Sequence, residues 1–338
     1  MNNKFDITII GNGLLGSTLA FYLSKQGYKV CIIGANYSHK NKYFSSHQDE
    51  TRIVRTFHHN NEYWQDLAKE SFDILKNISL ENPNLFKEVP VKYLFKDGIS
   101  YDNPYLIKND SYRYNYMDTF GGILNPILYI NYMNDHAINL GASLVVDDVV
   151  SINYKNETYI SNGDFGEIKS EWLIDSRGIH GVTENNNNEF IIGKVAMFFK
   201  LTDTKNHSSF AFIDEITESK LINDFYGICY YKNQFGKSIS KISFTETTPI
   251  VLEPNAVSNW FNGAFHEHPI LNDAVTLVLS KFPNFKLADL KPCAFVKTTD
   301  GKPSVTVENK LLRINGCNGM LAKAVIAFSK NIINRYFS

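Results

Sequence analysis

The chain opens with an apolar run, residues 5–10 (FDITII), that stops at a glycine. A short continuous apolar stretch bounded by a turn residue reads as a buried strand of a parallel sheet. Residues 14–26 (LLGSTLAFYLSKQ) then place apolar side chains at helical spacing, and Gly27 is suited to end that helix. Residues 28–34 (YKVCIIG) form a second apolar run. Strand, helix and strand in this order predict one βαβ unit.

Farther along the rhythm changes. Residues 62–78 (EYWQDLAKESFDILKNI) carry the pattern of an amphipathic helix, whereas residues 90–118 are rich in Tyr and Asn and predict irregular chain. GGILNP at 121–126 reads as a turn feeding a helix to about residue 140. Strand-like runs follow (ASLVVDDVVSINYK, ETYISN, IKSEWLIDS), and Asn185–Asn188 reads as a polar surface insertion. Between 191 and 250 the runs KVAMFFKLT, FYGICYYK and SISKISFTE predict strands with no helix between them. A helical stretch near 254–282 comes next, and the last fifty residues read strand, turn, strand, glycine turn, helix. The expected fold class is therefore mixed: a doubly wound α/β domain built from both chain ends, and an α+β domain with an antiparallel sheet. At 338 residues two domains are the natural division.

Composition narrows the function classes. Thirty-four basic against 35 acidic residues leave a net charge of -1, without the basic surplus that nucleic acid or an anionic membrane calls for. A small anionic substrate needs only one or two local cations and stays open. No 18-residue apolar run occurs, and the N-terminus lacks a basic segment ahead of a longer apolar one. The four cysteines (Cys31, Cys229, Cys293, Cys317) are scattered without a C-x-x-C pair, so neither a disulfide framework nor a metal site is expected, and the cytoplasm is the expected compartment.

The segment with the clearest chemistry is Gly11-Asn12-Gly13-Leu14-Leu15-Gly16, set between the first strand and the helix. Its glycines permit a tight turn, close backbone approach to a pyrophosphate and close helix–strand packing, while the helix start offers free N–H groups to phosphate. A purely structural turn is the ordinary alternative, and the strand–turn–helix setting favours a dinucleotide. One part is missing. The acidic residue that binds a ribose hydroxyl at the end of the second strand is Gly34 here, followed by Ala35 and Asn36. Either Asn36 stands in or the ribose is held less firmly.

Four further segments resemble the monomeric sarcosine oxidase family of flavoenzymes. Ser45-Ser46-His47-Gln48-Asp49-Glu50-Thr51-Arg52-Ile53-Val54-Arg55 is similar to the family's S-S-H-G-D-T-R-I-I-R, with one extra residue near Glu50. Gly227, Ile228, Tyr230, Phe235, Gly236 and Lys241 fit G-I-x-Y-x4-F-G-x4-K. Cys293, Phe295, Thr298 and Asp300 fit C-x-[YF]-x-x-T-x-D, and Gly316, Gly319 and Lys323 fit G-x-x-G-x-x-x-K. Together with the glycine turn these segments span nearly the whole chain.

The resemblance implies FAD bound by a discontinuous domain of residues 1–85, 139–190 and 291–338, with a substrate domain of 86–138 and 191–290. Besides Gly11, Gly13 and Gly16, the cofactor contacts it implies are Leu14, Leu15, Ser46, Arg52, Val149 and Gly178. At the C-terminal end they are Gly316, Asn318, Gly319, Met320 and Lys323. Cys293 matches the cysteine that joins the flavin ring through sulfur; a buried inert thiol is the ordinary alternative. Lys241 matches the lysine that assists dioxygen, where a fixed cation stabilises the anion formed on one-electron reduction. Arg55 and Lys323 match a pair that clamps the substrate carboxylate; Arg52, His47 and Tyr230 match residues beside the flavin and substrate. The family histidine four residues after the lysine is Thr245 here, which implies an altered pocket. The implied reaction is oxidation of the C–N bond of a small amino acid, or of an N-alkyl or cyclic one, to an imine, with O2 reduced to H2O2. A biosynthetic dehydrogenase using another acceptor and a non-catalytic flavin-binding relative are the alternatives.

Overall fold

The computed structural model describes residues 4–35, 48–58, 61–95, 103–108, 114–182, 188–202, 207–232, 236 and 238–338. Asn36, Ser46, His47 and Phe235 lie outside the described residues, as do Tyr101, Tyr112 and most of the Asn-rich insertion. The chain forms two compact units. One comprises Met1–Asp49, Pro126–Ile191 and Phe295–Ser338; the other comprises Glu50–Asn125 and Ile192–Ala294.

The first unit is built on Lys4–Ile10, which lies between two parallel neighbours. Val30–Ile33 pairs on one side (Ile7 with Val30, Ile10 with Ile33) and Gly166–Asp175 on the other (Ile10 with Asp175). Every residue of Val30–Ile33 is buried, as a central parallel strand covered on both faces requires. Ser143–Val145 extends the sheet beyond Val30–Ile33, and Leu311–Asn315 pairs parallel with Gly166–Asp175. Antiparallel edges complete the eight strands. Helix Leu14–Lys25 packs against helices Pro126–Asn139 and Leu321–Tyr336. Its contact with Pro126–Asn139 includes a buried hydrogen bond of 2.9 Å between the hydroxyls of Thr18 and Tyr129.

The second unit carries a nine-stranded sheet. Its centre is the antiparallel trio Glu189–Leu201, Ser238–Glu246 and Ile222–Lys232, continued by Phe210–Glu215. One face is apolar: Met197, Phe212, Phe225, Ile242 and Phe244 pack with Trp260 and with Ala274 and Val278 of helix Ile270–Lys281. The helical stretch expected near 254–282 is thus two helices, Val257–Phe261 and Ile270–Lys281, interrupted at Gly263, whose φ of +128° suits only glycine. The Tyr- and Asn-rich region expected to be irregular contains strands Val91–Leu94, Leu106–Lys108 and Tyr116–Asp118. They are short, and they are held by aromatic packing (Tyr93 against Phe57 and Phe95) that no local period discloses. Arg52–Val54, Gly122–Leu124 and Phe86–Glu88 make a separate three-stranded sheet. Among the described residues no helix is long and apolar enough to cross a membrane.

Candidate active site

In the first unit the glycine turn has the close packing its sequence implies. A Cβ on Gly11, whose φ is +109°, would stand 2.7 Å from the Ser176 carbonyl oxygen, and one on Gly16 only 1.8 Å from that of Gly11. Leu14 and Leu15 are buried where the helix begins. Gly13 caps that helix with no side-chain hydrogen bond, and its first turn holds no acidic residue. The helix start is thus open to an anion, and the cradle fits a dinucleotide pyrophosphate. Gly34 has a steric reason: a Cβ there would lie 2.6 Å from the backbone nitrogen of Asn12. Asn12 also donates to the Ala35 carbonyl at 3.0 Å and accepts from Asn134 at 2.9 Å, closing the space where the acidic side chain would begin.

The other expected cofactor residues of this unit fall into two places. Val149 is half-buried against Cys31 and Ile33, while Gly178 follows a bidentate Arg177–Asp175 pair (2.9 and 2.7 Å). That pair carries no sequence motif. At the C-terminal end Gly316, Asn318 and Gly319 all have left-handed φ, leading through Met320 into helix Leu321–Tyr336. Thr298 explains the arrangement. Its N–H donates to the Asn318 side chain at 3.0 Å, and its methyl would meet a Cβ on Gly316 at 2.3 Å. Two motifs matched separately in sequence are therefore one structural piece. Lys323 is 8% exposed in the helix's first turn. Burial pushes the neighbouring Cys317 thiol up to about 12, leaving it an inert packing group.

In the second unit strand register decides which side chains meet. Residues opposite one another on antiparallel strands project to the same face. Lys241 is opposite Ile228 and Phe198, Ser243 opposite Tyr226, and Thr245 opposite Asp224. Lys241, Thr245, Tyr226 and Asp224 therefore share the face away from the Phe225–Phe244 core. Lys241 is 8% exposed, and its ammonium donates to the Thr51 carbonyl, just before Arg52 and strand Arg52–Val54. Burial raises the Tyr226 phenol pKa against the pull of Lys194 and of a hydrogen bond with Ser243. Cys293 is half-buried, with its carbonyl accepting from the Trp260 indole at 3.2 Å.

Tyr230 is the correction. It was expected on the substrate side, but it sits in an irregularity between Ile228 and Tyr231 with φ +58°. Its ring stacks on His207 at 4.3 Å and lies 5.7 Å from both Phe210 and Phe285, on the core face. The extra residue of the bulge turns the side chain over, and Tyr226 is the tyrosine beside Thr245 and Lys241.

Two buried charges on these strands were not visible in the sequence. Lys194 is ion-paired with Glu246 and donates to the Phe244 carbonyl at 3.0 Å. Burial works against its charge, yet Tyr226, Glu246 and Asp224 outweigh it and hold its pKa above the ordinary value. Burial raises the Asp224 carboxyl against the pull of Thr245, Arg55 and Lys194. Arg55 donates from Nη1 to the Phe57 carbonyl at 2.9 Å, and burial raises the pKa of the Tyr93 phenol against the pull of the Arg55 charge.

No protein-family model matches the chain, and a search of the curated proteins finds no match. Solved structures do match. NikD, an amino acid oxidase essential for nikkomycin biosynthesis, superimposes with a TM-score of 0.73 at 13% identity, covering 99% of this chain and 97% of its own. L-proline dehydrogenase from P. horikoshii gives 0.68 at 16%, covering 97% and 92%. Glycine oxidase from Geobacillus kaustophilus gives 0.65 at 13%, covering 100% and 96%. Across nearly its whole length, the chain has the fold shared by these amino acid oxidases and dehydrogenases.

Proposed function

We propose that the protein is an FAD-dependent oxidoreductase that oxidises the C–N bond of a small amino acid, N-alkyl amino acid or cyclic amino acid to an imine, with O2 reduced to H2O2. The observation that carries this reading is the buried Lys241, which shares one face of a sheet with Tyr226 and Thr245 in a chain of this fold. The Gly11–Gly16 turn and the start of helix Leu14–Lys25 would hold the pyrophosphate, and Cys293 would hold the ring through its sulfur. When bound, FAD supplies the acceptor for the two electrons lost as the amine loses two hydrogens and becomes an imine.

The chain's own residues supply orientation and charge. Arg55 takes the substrate carboxylate; charge-assisted hydrogen bonds of this kind contribute roughly 1.5–3 kcal/mol each. Lys241 stabilises the anion formed as dioxygen takes up electrons, and two protons complete H2O2. Likeness to L-proline dehydrogenase favours a second reading, in which another acceptor takes the electrons. Peroxide formed stoichiometrically with imine in air separates the two.

The test is titration of acetate or benzoate into the flavin-loaded protein. Arg55→Met should weaken the acid's effect on the flavin spectrum by roughly ten- to a hundredfold. Identical titrations of the wild type and Arg55→Met would overturn this reading of Arg55. Covalency has its own readout: acid-denatured protein should run as a fluorescent band, and Cys293→Ser should release FAD to the supernatant.

A further inference from the structure

Asp118, at the end of strand Tyr116–Asp118, is fully buried, and all four of its described hydrogen-bond donors belong to two short stretches. Oδ2 accepts from the backbone nitrogens of Thr56 and Phe57, each at 2.8 Å. Oδ1 accepts from the Thr56 hydroxyl at 3.0 Å and the Phe120 nitrogen at 2.9 Å. Only a carboxylate offers four acceptor positions and no donor. An amide there would turn its NH2 against an N–H.

Burial nevertheless outweighs these bonds and raises the Asp118 pKa, so the fold holds the ionised form at a net cost. Stability alone does not explain such a group. What it fixes does. Thr56 and Phe57 follow Arg55 directly, and the same Phe57 whose N–H is held offers its carbonyl to the Arg55 guanidinium at 2.9 Å. Burial raises the pKa of the Tyr93 phenol, and the charges of both Arg55 and Asp118 reach it. Arg55 is thus anchored through its own backbone neighbours.

We propose that Asp118 is a positioning residue for Arg55: it pins the Thr56–Phe57 turn so that the guanidinium meets the substrate carboxylate in one geometry. The proposal rests on the reading of Arg55 as the carboxylate ligand. A guanidinium on a long flexible stem loses side-chain entropy when it binds, and an anchored one loses less. Asp118 acts on carboxylate affinity while touching no substrate atom.

Acetate is the probe, titrated into the flavin-loaded protein and followed by the flavin spectrum and by the shift in thermal midpoint. Asp118→Asn should weaken acetate about tenfold, with flavin content and the reoxidation rate of reduced protein unchanged. In an Arg55→Met background the same substitution should weaken it no further. A tenfold loss that persists in that background, or an equal slowing of reoxidation, would make Asp118 a general structural carboxylate and overturn the proposal. Thr56→Val removes the hydroxyl donor alone and should weaken acetate about threefold, with Thr56→Ser restoring it. Should Asp118→Asn fail to fold, unchanged affinity in Thr56→Val overturns the proposal by itself. If acetate moves neither spectrum nor midpoint in the wild type, the reading of Arg55 fails first, and the role of Asp118 with it.

Discussion

The two units reach their chemistry by opposite means. In the first, what matters is the absence of side chains: Gly11, Gly16 and Gly34 bring backbones so close that a single Cβ would collide with a neighbour. In the second, what matters is charge carried into a sheet: Lys241, Lys194 and Asp118 are all buried. A glycine site is rigid because nothing else fits. A buried-charge site is rigid only while each charge keeps its partner, so the two should fail in different ways when altered.

The largest effect is expected where a buried charge loses its partner. Lys194→Met strands Glu246 inside the sheet and should cost about 3–5 kcal/mol in a denaturant titration. Adding Glu246→Gln should restore most of that loss. If the double variant is no better than the single one, the ion pair is not what holds these strands. Lys241→Met is a different loss, since it removes an ammonium that donates to the Thr51 carbonyl. It should slow reoxidation of the reduced protein by about 10²–10³-fold while anaerobic reduction by substrate changes far less. Equal loss in both half-reactions would mark Lys241 as structural.

How far the sequence discloses each site follows from the same contrast. The glycine turn is local: its residues lie within six positions, so spacing reveals strand, turn and helix before any tertiary contact is known. The boundaries of helix Leu14–Lys25 and strand Lys4–Ile10 follow from that pattern within a residue or two. The charged face is not local. Lys241, Tyr226 and Asp224 come together through register across two strands, and one bulge between Ile228 and Tyr231 is enough to send Tyr230 to the core. Lys194 and Asp118 have no motif at all, because burial of a charge is a property of the folded neighbourhood. Resemblance located Lys241 and Arg55; only the strand register and hydrogen bonds show what surrounds them.

Smaller effects are expected in the glycine region, and they should appear in cofactor retention as well as stability. Gly16→Ala forces a methyl against the Gly11 carbonyl and should cost about 1–3 kcal/mol, with FAD lost on gel filtration. Gly34→Asp restores the acid that dinucleotide sites usually carry, yet it should weaken the protein, because its Cβ meets the Asn12 nitrogen before its carboxylate reaches any ribose. Tighter FAD binding in Gly34→Asp would show that the turn yields and that the missing acid is a simple deficit.

The central claim is that a bound flavin in this protein takes electrons from an amine that also carries a carboxylate. Its most direct test is the visible spectrum of the purified protein, recorded without oxygen while small amino acids, N-methyl amino acids and cyclic amino acids are added in turn, each beside its decarboxylated amine. The account predicts a yellow protein whose flavin band bleaches with at least one carboxylate-bearing amine and stays unchanged with the matching decarboxylated amine; admission of air should restore the colour and release peroxide. A colourless protein, or a flavin reduced equally well by the amine without its carboxylate, would contradict it.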